Sequence, residues 1–262
     1  SLQARAFLYQ KKYVEAEAAA TKVIDQSSIY SLGILESVFL KNSSETIWAL
    51  QPVNVGVNTH EAGVYLLPAD GPNNTYPVYT SSYLMNSFEV GDDRKNKWMG
   101  SVTVKIGANT NTYPYPAKYK AAYNPGGTTV TEYTIVLRLA EQYLIRAEAR
   151  NEQGNSSGAA ADLNTLRAKR RTVPTVLIPN PLADFSSSLT QNDLRIAVIH
   201  ERQVELFTEW GHRWLDLKRT NRADEVLSGL KPNWRPTSIL FPIPQTQILL
   251  NPSLLQNDGY QQ

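Results

Sequence analysis

Glu201 and Glu205 stand one helical turn apart in the run HERQVELFTEW, a spacing that could support acid–base chemistry. On a helix, Leu194, Val198, Glu201, Val204 and Phe207 share one face, so Glu201 falls inside an apolar stripe. Carboxylates at i and i+4 have Cβ atoms about 6 Å apart, and a retaining glycosidase needs its two carboxyl groups about 5–5.5 Å apart. Two neighbours on one helix, however, cannot flank a sugar from opposite sides. Arg195, Arg202, Arg213 and Arg219 lie close by in sequence. A buried carboxylate needs such a partner to stay ionised. The residues therefore favour a structural ion-pair cluster, with a glycoside hydrolase using Glu201 and Glu205 as the alternative.

Other chemistries are poorly served. HERQV approaches the H-E-x-x-H zinc helix, but position 204 is Val204, and His60 and His212 are far from ligand spacing, so no metal site is expected. No G-x-S-x-G elbow and no G-x-G-x-x-G loop occurs, and NPGGTT (124–129) lacks the length and the lysine of a phosphate loop, so no cofactor is expected. The chain has no Cys, which removes disulfides, thiolate metal ligands and thiol nucleophiles together. A net charge of +2 on 262 residues, with no dominant Lys/Arg stripe, gives no nucleic-acid footprint. No run of about 18 apolar residues is present to span a bilayer.

The elements that must position these residues are mainly α. Ala4, Phe7 and Leu8, then Tyr13, Ala16, Ala20, Val23 and Ile24, read as a helix pair over 1–30. Val136, Ala140, Tyr143, Leu144 and Ala147, then Ala160, Leu163 and Leu166, read as a second pair over 135–171. Small residues where helices would cross (Ala4, Ala6, Ala16, Ala20; Ala147, Ala149, Ala160, Ala161) make this a weak repeat of the tetratricopeptide kind. Between the pairs, residues 50–134 form a loop-rich, partly β excursion, with a helix expected at SSYLMNSF and a strand at VTVKI. Residues 190–262 read as a long capped helix from Thr190 to about Trp210, a kink at Gly211, a short helix HRWLDLKR and an irregular tail from Lys231. In this reading Trp210 and Trp214 bury large areas, Gly211 lets the chain bend and another segment approach, and the stretch 205–219 is a scaffold plug against which the tail packs.

Nine of the 14 tyrosines fall in the excursion, Tyr123 among them. Flat aromatic faces stack on the C–H faces of sugars, so Tyr65, Tyr76, Tyr79 and Tyr83, with Trp98 and the neighbouring Arg94, are the candidate ligand contacts. Tyrosines also pin long loops to a scaffold, and that alternative stays open for each residue.

HERQVELFTEWGHRWLDLKR followed by LFPIPQTQILLNPSLLQNDGY resembles the C-terminal signature of the SusD/RagB family. Glu201, Arg202, Glu205, Trp210, Gly211, Arg213, Trp214 and Asp216 carry that signature. SFEVGDDRKNKWM resembles the family's D-x-R turn through Asp92, Asp93 and Arg94, and both helix pairs resemble its repeats. The resemblance covers essentially the whole chain in order. It implies a single SusD/RagB-like domain over 1–262, expected to be the C-terminal part of a longer lipoprotein exposed on the outer membrane. Such proteins bind oligosaccharides or polysaccharides without catalysis and partner a SusC-like TonB-dependent transporter. Membrane contact is then made only through a lipid anchor outside this chain. A peptide-binding or structural tetratricopeptide scaffold is the alternative.

Overall fold

The computed structural model describes residues 1–54, 56–122 and 129–261. Tyr123 and most of NPGGTT lie outside the described residues. The chain forms two compact units, Ser1–Trp210 and Gly211–Gln262.

The first unit is built on stacked helix pairs. Helices α1 (Leu2–Tyr9) and α2 (Tyr13–Ile24) form one; α6 (Leu139–Glu152) and α7 (Ser156–Arg167) form the other. The α8 helix (Gln191–Glu205) packs on α6 and α7. Ala4, Ala16, Ala20, Ala147, Ala149, Ala159 and Ala160 are all buried, which lets the backbones approach closely. Ala6 and Ala161 instead face solvent. Leu144, Leu163, Leu166, Leu194 and Val198 fill the space between α6, α7 and α8. Ion pairs stitch the rims: Arg5 grips Glu141 at 2.6 and 2.7 Å, and Arg150 bridges Glu17 and Asp162. Thr190 caps α8 by accepting the Asp193 N–H, while its hydroxyl donates to the Asp193 carboxylate.

The excursion holds more regular structure than its composition predicts. Strand β1 (Thr46–Leu50) pairs antiparallel with β4 (Thr134–Arg138), and β2 (Met99–Ile106) pairs with β3 (Asn109–Pro116). Short helices α3 (His60–Tyr65), α4 (Ser82–Met85) and α5 (Arg94–Lys97) punctuate the loops. The start of the second pair is corrected here: residues 134–138 are a strand, and the helix begins at Leu139. Thr134, Ile135 and Val136 are β-branched in succession, which favours a pleated chain. The β3 strand escapes notice because it carries Pro114 and Pro116, which are tolerated on a strand with a single strand neighbour, β2.

The second unit contains α9 (His212–Arg219), α10 (Ala223–Leu227), a 3₁₀ turn at Pro236–Ile239 and α11 (Gln245–Leu250). Short helices thus interrupt the tail expected to be irregular. Trp214 packs against Trp234 and Phe241 at centroid distances of 6.2 and 5.8 Å. Within this unit the tail therefore does pack on the HRWLDLKR helix. The Q-N-x-G-Y ending has a physical reading. Gln256 exchanges two hydrogen bonds with the Ile243 backbone, Asn257 donates to the Phe241 carbonyl, and Tyr260 donates to the Leu240 carbonyl. Gly259 has φ +86°, and a Cβ there would sit 2.2 Å from Thr237 Oγ1, so only glycine fits.

Candidate functional site

Glu201 and Glu205 are both fully buried, and guanidinium groups from distant elements meet them. Glu201 accepts from Arg94 Nη1 at 2.6 Å and Arg167 Nη1 at 2.9 Å. Glu205 accepts from Arg94 at 2.9 Å, Arg138 at 2.6 Å and Arg170 at 3.0 and 3.1 Å. Arg138 also makes a fork with Glu209 at 2.8 Å, and Arg170 reaches Glu45 at 2.7 Å. Arg94 is held from the other side by Asp92 at 2.7 and 2.8 Å. The partners thus come from α5, the end of β4, the end of α7 and the turn beyond it. The arginines nearest in sequence do not supply them: Arg195 pairs with Glu152, and Arg202 is itself buried.

Burial alone would raise the Glu205 carboxyl, but Arg170, Arg138 and Arg94 outweigh it and hold the group well below the usual carboxylate range. Burial likewise opposes ionisation of Glu209, and Arg138 and Lys118 hold it at about 2. Lys118 is buried in an aromatic cage, with Nζ 3.9 Å from the Phe207 centroid and 4.9 Å from that of Trp98. Burial pushes its ammonium down to about 8, although Glu209 and the Glu205 and Phe207 carbonyls accept its protons. Both carboxylates are fully buried and engaged by arginines, out of reach of a sugar, so the geometry gives Glu201 and Glu205 a structural ion-pair role in place of the glycosidase alternative. Because the Glu209 pKa is depressed on folding, its stabilisation is complete above the unfolded value and is lost as pH falls. Acid titration of the melting temperature should show a decline between pH about 4.5 and about 2, and that decline should be smaller in Glu209→Gln.

Glu89, His200 and Glu201 bring ligand atoms within 4.8 Å of one another. Arg167 Nη1 donates to both carboxylates, at 2.7 and 2.9 Å, so a guanidinium already occupies the cation's place.

The structure separates the expected ligand contacts. Trp98 is 1% exposed, with its Nε1–H on the Leu35 carbonyl at 2.9 Å, and Arg94 is 0% exposed. Both are scaffold residues and leave the candidate surface. Tyr65 is half-buried at a small recess shared with Glu61, Lys118 and Tyr119. Tyr76 lies half-buried on the loop before α4, and Tyr83 is exposed on α4. Tyr79 is exposed and packs edge-on against Tyr113 of β3 at 5.3 Å. One close approach seats this hairpin face on a neighbouring loop, and another packs its two strands together. A Cβ at Gly71 would lie 2.8 Å from Val104, and one at Gly100 would lie 2.5 Å from the Tyr115 ring.

The plug residues also divide. Trp210 is 47% exposed rather than buried, and its Nε1–H donates to the Ile135 carbonyl at 2.7 Å. The α8 helix ends at Glu205, five residues earlier than expected, and Gly211 takes φ +71° ahead of α9. A Cβ at Gly211 would meet nothing within 4 Å, so this glycine serves the bend and not a close approach. Asp216 is buried and pairs with Arg219, while Arg213 and Trp214 are half-buried. Sequence reasoning missed Glu45, Lys118, Arg138, Arg167, Arg170 and Glu209. A signal existed for Arg138: a lone charge in the apolar run TIVLRLA implies a buried partner.

Helical repeats locked by a buried ion network, with the exposed Tyr79 packed against a hairpin tyrosine, define a scaffold of the tetratricopeptide type. The chain belongs to the SusD family, whose model matches residues 73–238. SusD-like protein P2 of Formosa agariphila is 37% identical over 158 residues, covering 56% of this chain but 30% of that protein. A SusD superfamily protein from Bacteroides vulgatus superposes with a TM-score of 0.75 at 19% identity, over 98% of this chain and 61% of the other. The surface glycan-binding protein A from Bacteroides uniformis gives 0.68 at 18% identity, over 97% and 59%. The chain thus spans less than two thirds of these relatives. The structural likenesses establish the fold.

Proposed function

We propose that the chain binds oligosaccharides or polysaccharides at the cell surface without cleaving them, for uptake through a SusC-like TonB-dependent transporter of the outer membrane. Membrane attachment is through a lipid anchor outside these residues. The exposed Tyr79 ring, set edge-on against Tyr113 on a seated hairpin, is the observation that carries the reading. It offers a pre-positioned aromatic surface at low entropic cost. Tyr83, Tyr76 and Tyr65 extend the same excursion as further ligand contacts. Family membership and a relative named for surface glycan binding support the reading.

Native affinity electrophoresis through gels carrying a panel of polysaccharides tests it. The chain is expected to be retarded by at least one polymer, with affinity about tenfold lower in Tyr79→Ala, Tyr83→Ala, since hot-spot aromatics lose about 1.4 kcal/mol or more on truncation. Unchanged retardation in the folded variant would move the ligand away from these tyrosines. Binding of peptides in place of any polysaccharide would replace the glycan reading.

A further inference from the structure

A cleft of about 350 Å³ lies at the base of the excursion, and no function has yet been given to it. Trp210 forms one wall, and Leu50, Gln51, Asn54, His60 and Glu61 are among its other lining residues. Its size falls within the range of small-molecule sites, roughly 300–1,000 Å³. The indole donor is already taken by the Ile135 carbonyl, so Trp210 brings aromatic ring surface to the cleft in place of a free N–H. Holding it there is costly. Trp210 has φ +45° and Thr208 has φ +59°, left-handed conformations that cost about 1–3 kcal/mol each for such residues. Strain of this kind persists where the surroundings impose it, and it clusters at ligand clamps. A tryptophan serving only to fill the core would be buried, and this one is 47% exposed.

The rest of the lining fixes the ligand class. Gln51, Asn54 and His60 offer hydrogen-bond donors and acceptors, and Glu61, which already accepts from Thr134 Oγ1 at 2.9 Å, retains a further carboxylate oxygen. Leu50 adds apolar surface. No Lys or Arg lines the cleft among the described residues. A uronate or sulfated sugar would meet a carboxylate with no cation to offset it, at a cost in affinity. A neutral pyranose presents an apolar C–H face to the indole and a ring of hydroxyls to the polar rim. We infer that Trp210 is the stacking platform of a subsite for neutral sugar units, with Gln51, Asn54, His60 and Glu61 reading the hydroxyls. The inference rests on the glycan-binding reading and specifies its ligand.

The test runs the 262-residue chain through gels carrying neutral polymers (laminarin, xylan, galactomannan) and anionic ones (alginate, polygalacturonate, carrageenan). Retardation by at least one neutral polymer and by none of the anionic ones is expected. Trp210→Ala should weaken it about tenfold or more, and Gln51→Ala, Asn54→Ala, whose side chains are exposed, severalfold. Circular dichroism checks folding; if Trp210→Ala does not fold, the Gln51→Ala, Asn54→Ala variant decides. Full affinity in a folded Trp210→Ala variant, or in the rim variant when Trp210→Ala is unfolded, overturns the subsite while the glycan reading stands. Retardation by anionic polymers alone overturns it in the same way. Retardation by no polymer at all overturns both.

Discussion

Glu205→Gln is expected to destabilise the first unit by about 3–5 kcal/mol, the range for breaking a buried charge pair by removing one partner. Glu205 is fully buried and satisfies Arg94, Arg138 and Arg170 at once. Glutamine keeps one acceptor oxygen and replaces the other with an amide that itself donates. At least one guanidinium then faces a donor with no water to replace the lost bond. Glu201 and Glu209 compensate only in part, because each already has its own partners. Urea denaturation followed by circular dichroism measures the effect. The midpoint should fall while the slope stays unchanged, since the surface exposed on unfolding is the same. A change below about 1 kcal/mol would show that the network is hydrated and weak, as surface pairs are. Polysaccharide binding per folded molecule should stay at the wild-type level, which separates a scaffold carboxylate from a catalytic or ligand-contacting one.

Trp98→Ala should cost a similar amount, about 3–5 kcal/mol, through a different mechanism. Trp98 packs with Phe39, Phe207 and Ile135 in the aromatic core, and its truncation leaves a cavity there. The Leu35 carbonyl loses its donor, and Lys118 loses one ring of its cage. Trp98→Phe restores most of the volume and the ring face but not the indole N–H, so its loss should be clearly smaller. Both variants, where folded, should keep wild-type affinity for polysaccharide. A folded Trp98→Ala variant that has lost binding at unchanged stability would return Trp98 to the ligand surface.

These two positions show what was legible from residue order. The i, i+4 spacing of Glu201 and Glu205 on an apolar stripe is enough to require cationic partners, because a buried carboxylate cannot remain ionised alone. It cannot say which cations, since Arg94, Arg138, Arg167 and Arg170 lie 34 to 111 residues away from the carboxylates they meet. Trp98 and Tyr79 lie in the same polar, loop-rich segment and look equally available in sequence. Packing decides between them: one is in the core, and the other is exposed on a loop that leans on the hairpin.

The sequence by itself determined the helix pairs, the capped α8, the bend at Gly211 and the family signature. Each depends on interactions within a few residues or on a local periodicity, which residue order encodes directly. Tertiary structure alone decided that β1 pairs with β4 across the 83 residues between them, that the plug's carboxylates are locked by distant arginines, and that Trp210 lines an open cleft. Long-range pairing and burial are properties of the assembled surfaces, and equivalent residue types compete for each place until packing selects among them.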